Sequence, residues 1–127
     1  MKKALDFKFT ETHQWLRVIG VNEALVGITD HAQESLGDII YLDLPIVGTM
    51  LSQGEQIGVV ESVKTASEIY TPISGKVLDA NTRLADEPEL INDDPYEAWI
   101  LKIEFKNVDE IKPLMNRAEY DSFLLSL

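Results

Sequence analysis

Lys64 is the residue whose setting most suggests covalent chemistry. It is the only lysine between Lys8 and Lys76, and Arg17 is the only other basic residue in that interval. Ser62 and Val63 precede it; Thr65, Ala66 and Ser67 follow it. Gly54 lies 10 residues before it and Gly75 lies 11 after it. That near-symmetry suits a hairpin with Lys64 at its tip and glycine turns at both bases. A lysine there offers a flexible four-carbon stem and, once deprotonated, a nucleophilic amine. It is a good attachment point for a prosthetic group that must swing. The plain reading is that a hairpin lysine only solubilises a strand, and spacing alone leaves both open. Other chemistry has less support. There is no G-x-S-x-G elbow and no phosphate-binding loop. Asp79-Ala80-Asn81 begins like a calcium loop, but Leu84 stands where its glycine should be. Asp93-Asp94 beside Pro95 reads as a solvated acidic loop. A Ser62–His31–aspartate site has no local support, although such groups meet in space rather than in sequence.

The elements that would position Lys64 are mostly strands. Gln56–Val63 and Ala66–Thr71 are apolar-rich runs on either side of it. Residues 7–28 hold further short β-prone runs, broken at Thr10-Glu11-Thr12 and at Gly20. Thr29–Gly37 reads as a short helix, with Asp30 and Gln33 as a capping pair and Gly37 as its stop. Ala32 and Leu36 would face the core. Ile39–Leu44, Lys76–Leu78 and Trp99–Phe105 are strands. Residues 79–96 are turn-rich and acidic, an ordered surface loop with a helical turn near Arg83–Asp86. Residues 109–126 are helical, divided at Pro113, with Asn116 and Glu119 as a second capping box. Trp15, Trp99 and Phe105 are core residues by type. Short strands with regular turns predict a mostly β fold: a small antiparallel β sandwich or barrel with short peripheral and C-terminal helices. No composition shift divides the chain, so residues 1–127 are expected to form a single domain.

Composition narrows the partners. Eleven basic and 22 acidic residues give a net charge of −11. Nucleic acid and anionic membrane surfaces would be repelled, whereas basic patches on protein partners would be attracted. The absence of cysteine excludes disulfides, thiolate metal sites and a cysteine nucleophile. Two histidines, His13 and His31, are too few for a histidine metal site by themselves. No apolar run approaches the roughly 20 residues of a membrane span. The N-terminal lysines are followed by no apolar stretch, so neither a signal nor a transit peptide is expected, and the expected compartment is the cytoplasm.

Several blocks, in order, resemble one family. Val60-Glu61-Ser62-Val63-Lys64-Thr65-Ala66-Ser67-Glu68-Ile69-Tyr70-Thr71-Pro72-Ile73-Ser74-Gly75-Lys76-Val77 resembles the lipoyl-attachment motif of glycine cleavage system H proteins. So do Gly27–Ile39, Thr12-His13-Gln14-Trp15, Glu89-Leu90-Ile91-Asn92, and Asp94-Pro95-Tyr96 with Trp99. The likeness covers essentially the whole chain. It implies a barrel-sandwich hybrid related to lipoyl and biotinyl domains, with lipoate in amide linkage to Lys64. The sulfur chemistry would then belong to the cofactor, in keeping with the missing cysteines. The resemblance further implies a non-catalytic carrier that shuttles the aminomethyl group of glycine. Its partners would be a pyridoxal-phosphate glycine decarboxylase, a tetrahydrofolate-dependent aminomethyltransferase, dihydrolipoamide dehydrogenase and a lipoate-attaching enzyme. It implies a monomer.

By motif position, Thr12, Gln14, His31, Glu68, Thr65 and Ser67 would line a cleft that shelters the loaded arm from water. Glu61, beside the tip, reads either as a partner-docking residue or as an exposed strand glutamate. His31 reads either as a cleft residue or as part of the helix packing. His13 is expected to be a structural strand residue. Two departures stand out. The family usually has glutamate where Gln14 stands, and an amide makes a weaker hydrogen bond to an ammonium than a carboxylate does. The segment Tyr96-Glu97-Ala98-Trp99 is also shorter than usual. Both predict an arm held less firmly than in typical members. Other readings are a lipoyl donor in lipoate assembly, an unmodified interaction module, and an independent hydrolase. A biotin carrier fits less well, because Val63 and Thr65 replace the methionines that commonly flank biotinyl-lysine.

Overall fold

Alternating burial along short strands sets out two antiparallel sheets in the computed structural model, which describes residues 7–127. Lys2 and Lys3, and with them the expectation that no leader is present, lie outside the described residues. The larger sheet contains β1 (Phe7–Phe9), β2 (Gln14–Val18), β3 (Glu23–Ile28), β5 (Met50–Leu51), β8 (Gly75–Ala80) and β9 (Leu101–Glu104), in the order β1-β2-β3-β9-β8-β5. The smaller contains β4 (Ile39–Leu42), β6 (Gln56–Ser62) and β7 (Ala66–Tyr70), in the order β4-β6-β7. The inward residues Leu16, Val26, Val60, Ile69, Val77 and Ile103 meet in one core cluster. A second cluster is aromatic: Phe7, Phe9, Trp15 and Tyr120, with the Phe9 and Tyr120 rings stacked 4.6 Å apart. Trp15 and Phe105 are buried, while Trp99 packs, partly buried, against the aromatic cluster.

Helix α1 (Asp30–Leu36) follows β3 directly. Its cap lies one residue earlier than the sequence suggests: the Thr29 hydroxyl accepts from the Ala32 N–H at 3.2 Å. Asp30 and Gln33 are bonded, but side chain to side chain, at 2.8 Å. Gly37 ends the helix at φ 79° and ψ −151°, a region essentially reserved for glycine. The acidic stretch 79–96 is less loop-like than its turn residues imply. Besides α2 (Arg83–Asp86) it holds α3 (Leu90–Asp93), and these helices send Leu84 and Ile91 fully into the core. The two-residue β5 was also not foreseen. At the C-terminus, a 3-10 turn (Val108–Glu110) and α4 (Arg117–Leu125) flank Pro113, and the Asn116–Glu119 capping box is formed. Gly54 occupies a turn at φ 86°, whereas Gly75 opens β8 rather than turning the chain.

Candidate functional site

Lys64 is exposed at the tip of the β6–β7 hairpin, between Val63 and Thr65. Two-residue hairpin turns usually need positive φ. None occurs here; His13 is the only non-glycine with positive φ among the described residues. The Ser62 side chain substitutes. Its hydroxyl accepts from the Lys64 N–H at 3.4 Å and the Thr65 N–H at 3.2 Å, and donates to the Thr65 carbonyl at 3.2 Å. The Ser62 N–H also reaches that carbonyl, at 2.8 Å. Ser62 is therefore a turn organiser and not a nucleophile, a role the sequence reading missed. The Val63 N–H donates to the Asp38 carbonyl at 3.0 Å, tying the tip to the segment after α1.

Lys64 Cε passes 3.4 Å from where a Cβ on Gly37 would stand, so its stem leans on the end of α1. Asn92 holds that end in place. Its carbonyl accepts from the Ile39 N–H at 2.9 Å, while its amide donates to Gln33 Oε1 at 2.9 Å and to the Gly37 carbonyl at 2.8 Å.

Beside the tip lies a cleft of about 340 Å³. Thr12, Gln14, His31, Thr65, Ser67 and Glu68 all line it. Its apolar surface includes Ile28, Leu36, Val60 and Ile69, all buried. Glu68 is the one carboxylate in the lining, and it accepts from the Tyr70 hydroxyl at 3.1 Å. That bond raises the Tyr70 pKa. Glu61 is exposed on β6 between the buried Val60 and Ser62 and does not line the cleft. A larger open depression of about 570 Å³ lies on another face of the Thr10–Thr12 segment. It contains no histidine, whereas the smaller cleft brings His13, His31 and Glu68 together next to the Lys64 hairpin.

Gln14 is buried, and its amide is already engaged. Oε1 accepts from the hydroxyls of Thr12 and Thr10, and Nε2 donates to the Thr12 carbonyl at 2.9 Å. Only an N–H of Gln14 remains to face a guest. His13 also lines the cleft, and it is not a strand residue: it sits at φ 70° in the turn before β2. Its ring lies 4.5 Å from that of His31. Its Nδ1 is 2.8 Å from the Tyr120 hydroxyl, which is 2.8 Å from Thr29 Oγ1. Burial, and then the charge of His31, lower the His13 pKa from its usual 6.5. Among the described residues no group of three or more potential metal ligands comes together.

The family model described as Glycine cleavage H-protein matches residues 7–126. The chain belongs to this family. A glycine cleavage system H protein of Symbiobacterium thermophilum is 54% identical over 93% of this chain and 92% of its own length. One from Xylella fastidiosa is 48% identical over 95% and 93%. A crystal structure of a glycine cleavage system H protein from Mycobacterium marinum superposes with a TM-score of 0.86 at 34% identity, covering 97% of this chain and 98% of that one. The family is the carrier component of the glycine cleavage system and not one of its catalysts. No helix among the described residues is long and apolar enough to cross a membrane.

Proposed function

We propose that Lys64 carries lipoate in amide linkage and that this chain shuttles the aminomethyl group of glycine between the enzymes of glycine cleavage. The observation that supports this best is the placement of Lys64. It is exposed at a hairpin tip, its amine has no ion-pair partner among the described residues, and the cleft opens beside it. When bound, the group supplies a disulfide ring that opens to hold a one-carbon amine and closes again afterwards.

The chain's own residues do the rest. Ser62 and Asp38 fix the tip, so that the swinging length begins at the Lys64 stem. Ile28, Leu36, Val60 and Ile69 keep water away from the floor of the cleft. With Gln14 spent on the Thr10–Thr12 turn, Glu68 is the carboxylate available to an ammonium guest, and the Tyr70 hydroxyl steadies it. The partners would be glycine decarboxylase, the aminomethyltransferase, dihydrolipoamide dehydrogenase and a lipoate-attaching enzyme. All of them must take hold of the same exposed tip.

The deciding experiment is intact and peptide mass measurement on protein purified from its own cells. A lipoyl increment confined to the peptide containing Lys64, and lost in Lys64→Arg, is the expected result. An unmodified Lys64 that also resists a competent lipoate ligase would overturn the carrier reading in favour of an unmodified interaction module.

A further inference from the structure

β7 is a free edge, and its exposed backbone lies along the cleft. The Ser62 N–H bonds to the Thr65 carbonyl, which fixes how the β6–β7 ladder alternates. Val60↔Ser67 is then a hydrogen-bonded pair, while Glu61↔Ala66 and Val59↔Glu68 are not. An independent bond agrees: the Val59 carbonyl accepts from the Asp43 N–H at 2.9 Å, so it faces away from β7. The N–H and C=O groups of Ala66 and Glu68 therefore point outward from β6. Their carbonyls receive only long contacts from neighbouring hydroxyls, Thr65 Oγ1 at 3.5 Å and Ser67 Oγ at 3.4 Å. Their N–H groups have no partner among the described residues. Five consecutive residues, Thr65 to Ile69, line the cleft. A cleft lined in that way follows the edge of the strand.

An open strand edge is normally a liability that must be covered. Here the group to cover it can be identified by its length. On the reading that Lys64 is lipoylated, and with its stem swung from Gly37 onto the β7 side, the new amide carbon lies six bonds from the Lys64 Cα. That equals two residues of backbone, about 7 Å when extended, and it reaches the level of Ala66. The sulfur ring lies about thirteen bonds out, or roughly 14 Å, which is four residues along the strand at the level of Glu68. We propose that the free edge of β7 is a binding track for the arm. The arm amide hydrogen-bonds to the outward backbone groups of Ala66, as an added strand would, and so delivers the far end of the arm to Glu68. The inference rests on the carrier reading and adds the backbone site that seats the arm.

The test is residue-resolved amide hydrogen exchange on the full chain in three forms: unmodified, lipoylated, and lipoylated with its aminomethyl cargo. One net hydrogen bond slows exchange roughly three- to tenfold. That slowing is expected at Ala66, and at Glu68 where the edge becomes covered, in the cargo-carrying form relative to the unmodified one. Ser67 and Ile69, bonded to β6, should not change. Unchanged exchange at both Ala66 and Glu68, in protein whose mass shows lipoyl on Lys64, would overturn the track and leave the carrier reading intact. A Lys64 that accepts no lipoyl group would overturn both.

Discussion

His13 and Gln14 are chain neighbours with different duties. Gln14 turns inward and uses its amide on Thr10 and Thr12. His13 takes a left-handed backbone and joins a chain of hydroxyls running through Tyr120 to Thr29, the cap of α1. Its Nδ1 is within hydrogen-bond distance of the Tyr120 hydroxyl, at 2.8 Å. Burial disfavours the charged ring, and the charge of His31, whose ring lies 4.5 Å away, opposes it further, so the His13 pKa is lowered. The sign follows from linkage. With its native pKa below 6.5, the unfolded chain binds more protons just below that pH. Stability is therefore full above about pH 6.5 and falls as pH drops from there toward the lowered native value. His13→Asn keeps a residue that tolerates positive φ but removes the titration. Urea midpoints at about pH 7.5 and 5.5 should fall further for wild type than for His13→Asn. Equal losses would show that the pair does not couple to folding. Neither duty was legible in the sequence. The engagement of Gln14 depends on two hydroxyls folding back over it, and that of His13 depends on a tyrosine 107 residues away. The cleft positions taken from family motifs do lie together: Thr65, Ser67 and Glu68 on the hairpin, Thr12 and Gln14 on the turn and the strand it opens, and His31 on α1.

At the scale of elements, the site rests on a joint between α1, the hairpin and α3. Asn92, on α3, bonds to Gln33 and Gly37 at the end of α1 and to Ile39 at the start of β4. Gly37 in turn supports the Lys64 stem. Asn92→Ala would leave the Ile39 N–H and the Gly37 carbonyl without this partner in a partly buried setting. The expected cost is about 2–3 kcal/mol of stability, read from urea unfolding. A loss below about 0.5 kcal/mol would mean that water replaces the amide. This joint also marks where sequence reading stops. The hairpin was legible because apolar strands bracket Lys64 between turn residues. α3 was not, because four residues carry no helical period and Asn92-Asp93-Asp94-Pro95 reads as loop. The burial of Leu84 and Ile91 comes from a core that needs plugging at that edge, which no local pattern declares. β5, at two residues, is likewise fixed by its pairing with β8 rather than by its own sequence.

For the whole molecule, charge is the property that outlasts any one contact. The net charge is −11, and the proposed amide at Lys64 would remove one positive charge, taking it to −12. A carrier that must visit several enzymes needs fast encounter and fast release, which long-range attraction provides without a large dry interface. That attraction is sensitive to salt. The screening length shrinks from about 30 Å at 0.01 M to about 8 Å at 0.15 M. The lipoylated chain should therefore associate with the decarboxylase at a rate that falls about tenfold or more over that range. On the proposed function the cleft should respond differently, since a guest there would be held by short contacts within a partly enclosed site, where screening is weak. Loss of cargo to water from the isolated carrier should stay nearly constant across the same salt series. Stopped-flow association and a cargo-release assay, run in parallel, separate the two effects. An association rate that is flat or rises with salt would mean that the acidic surface serves solubility alone, and that recognition rests on the hairpin tip itself.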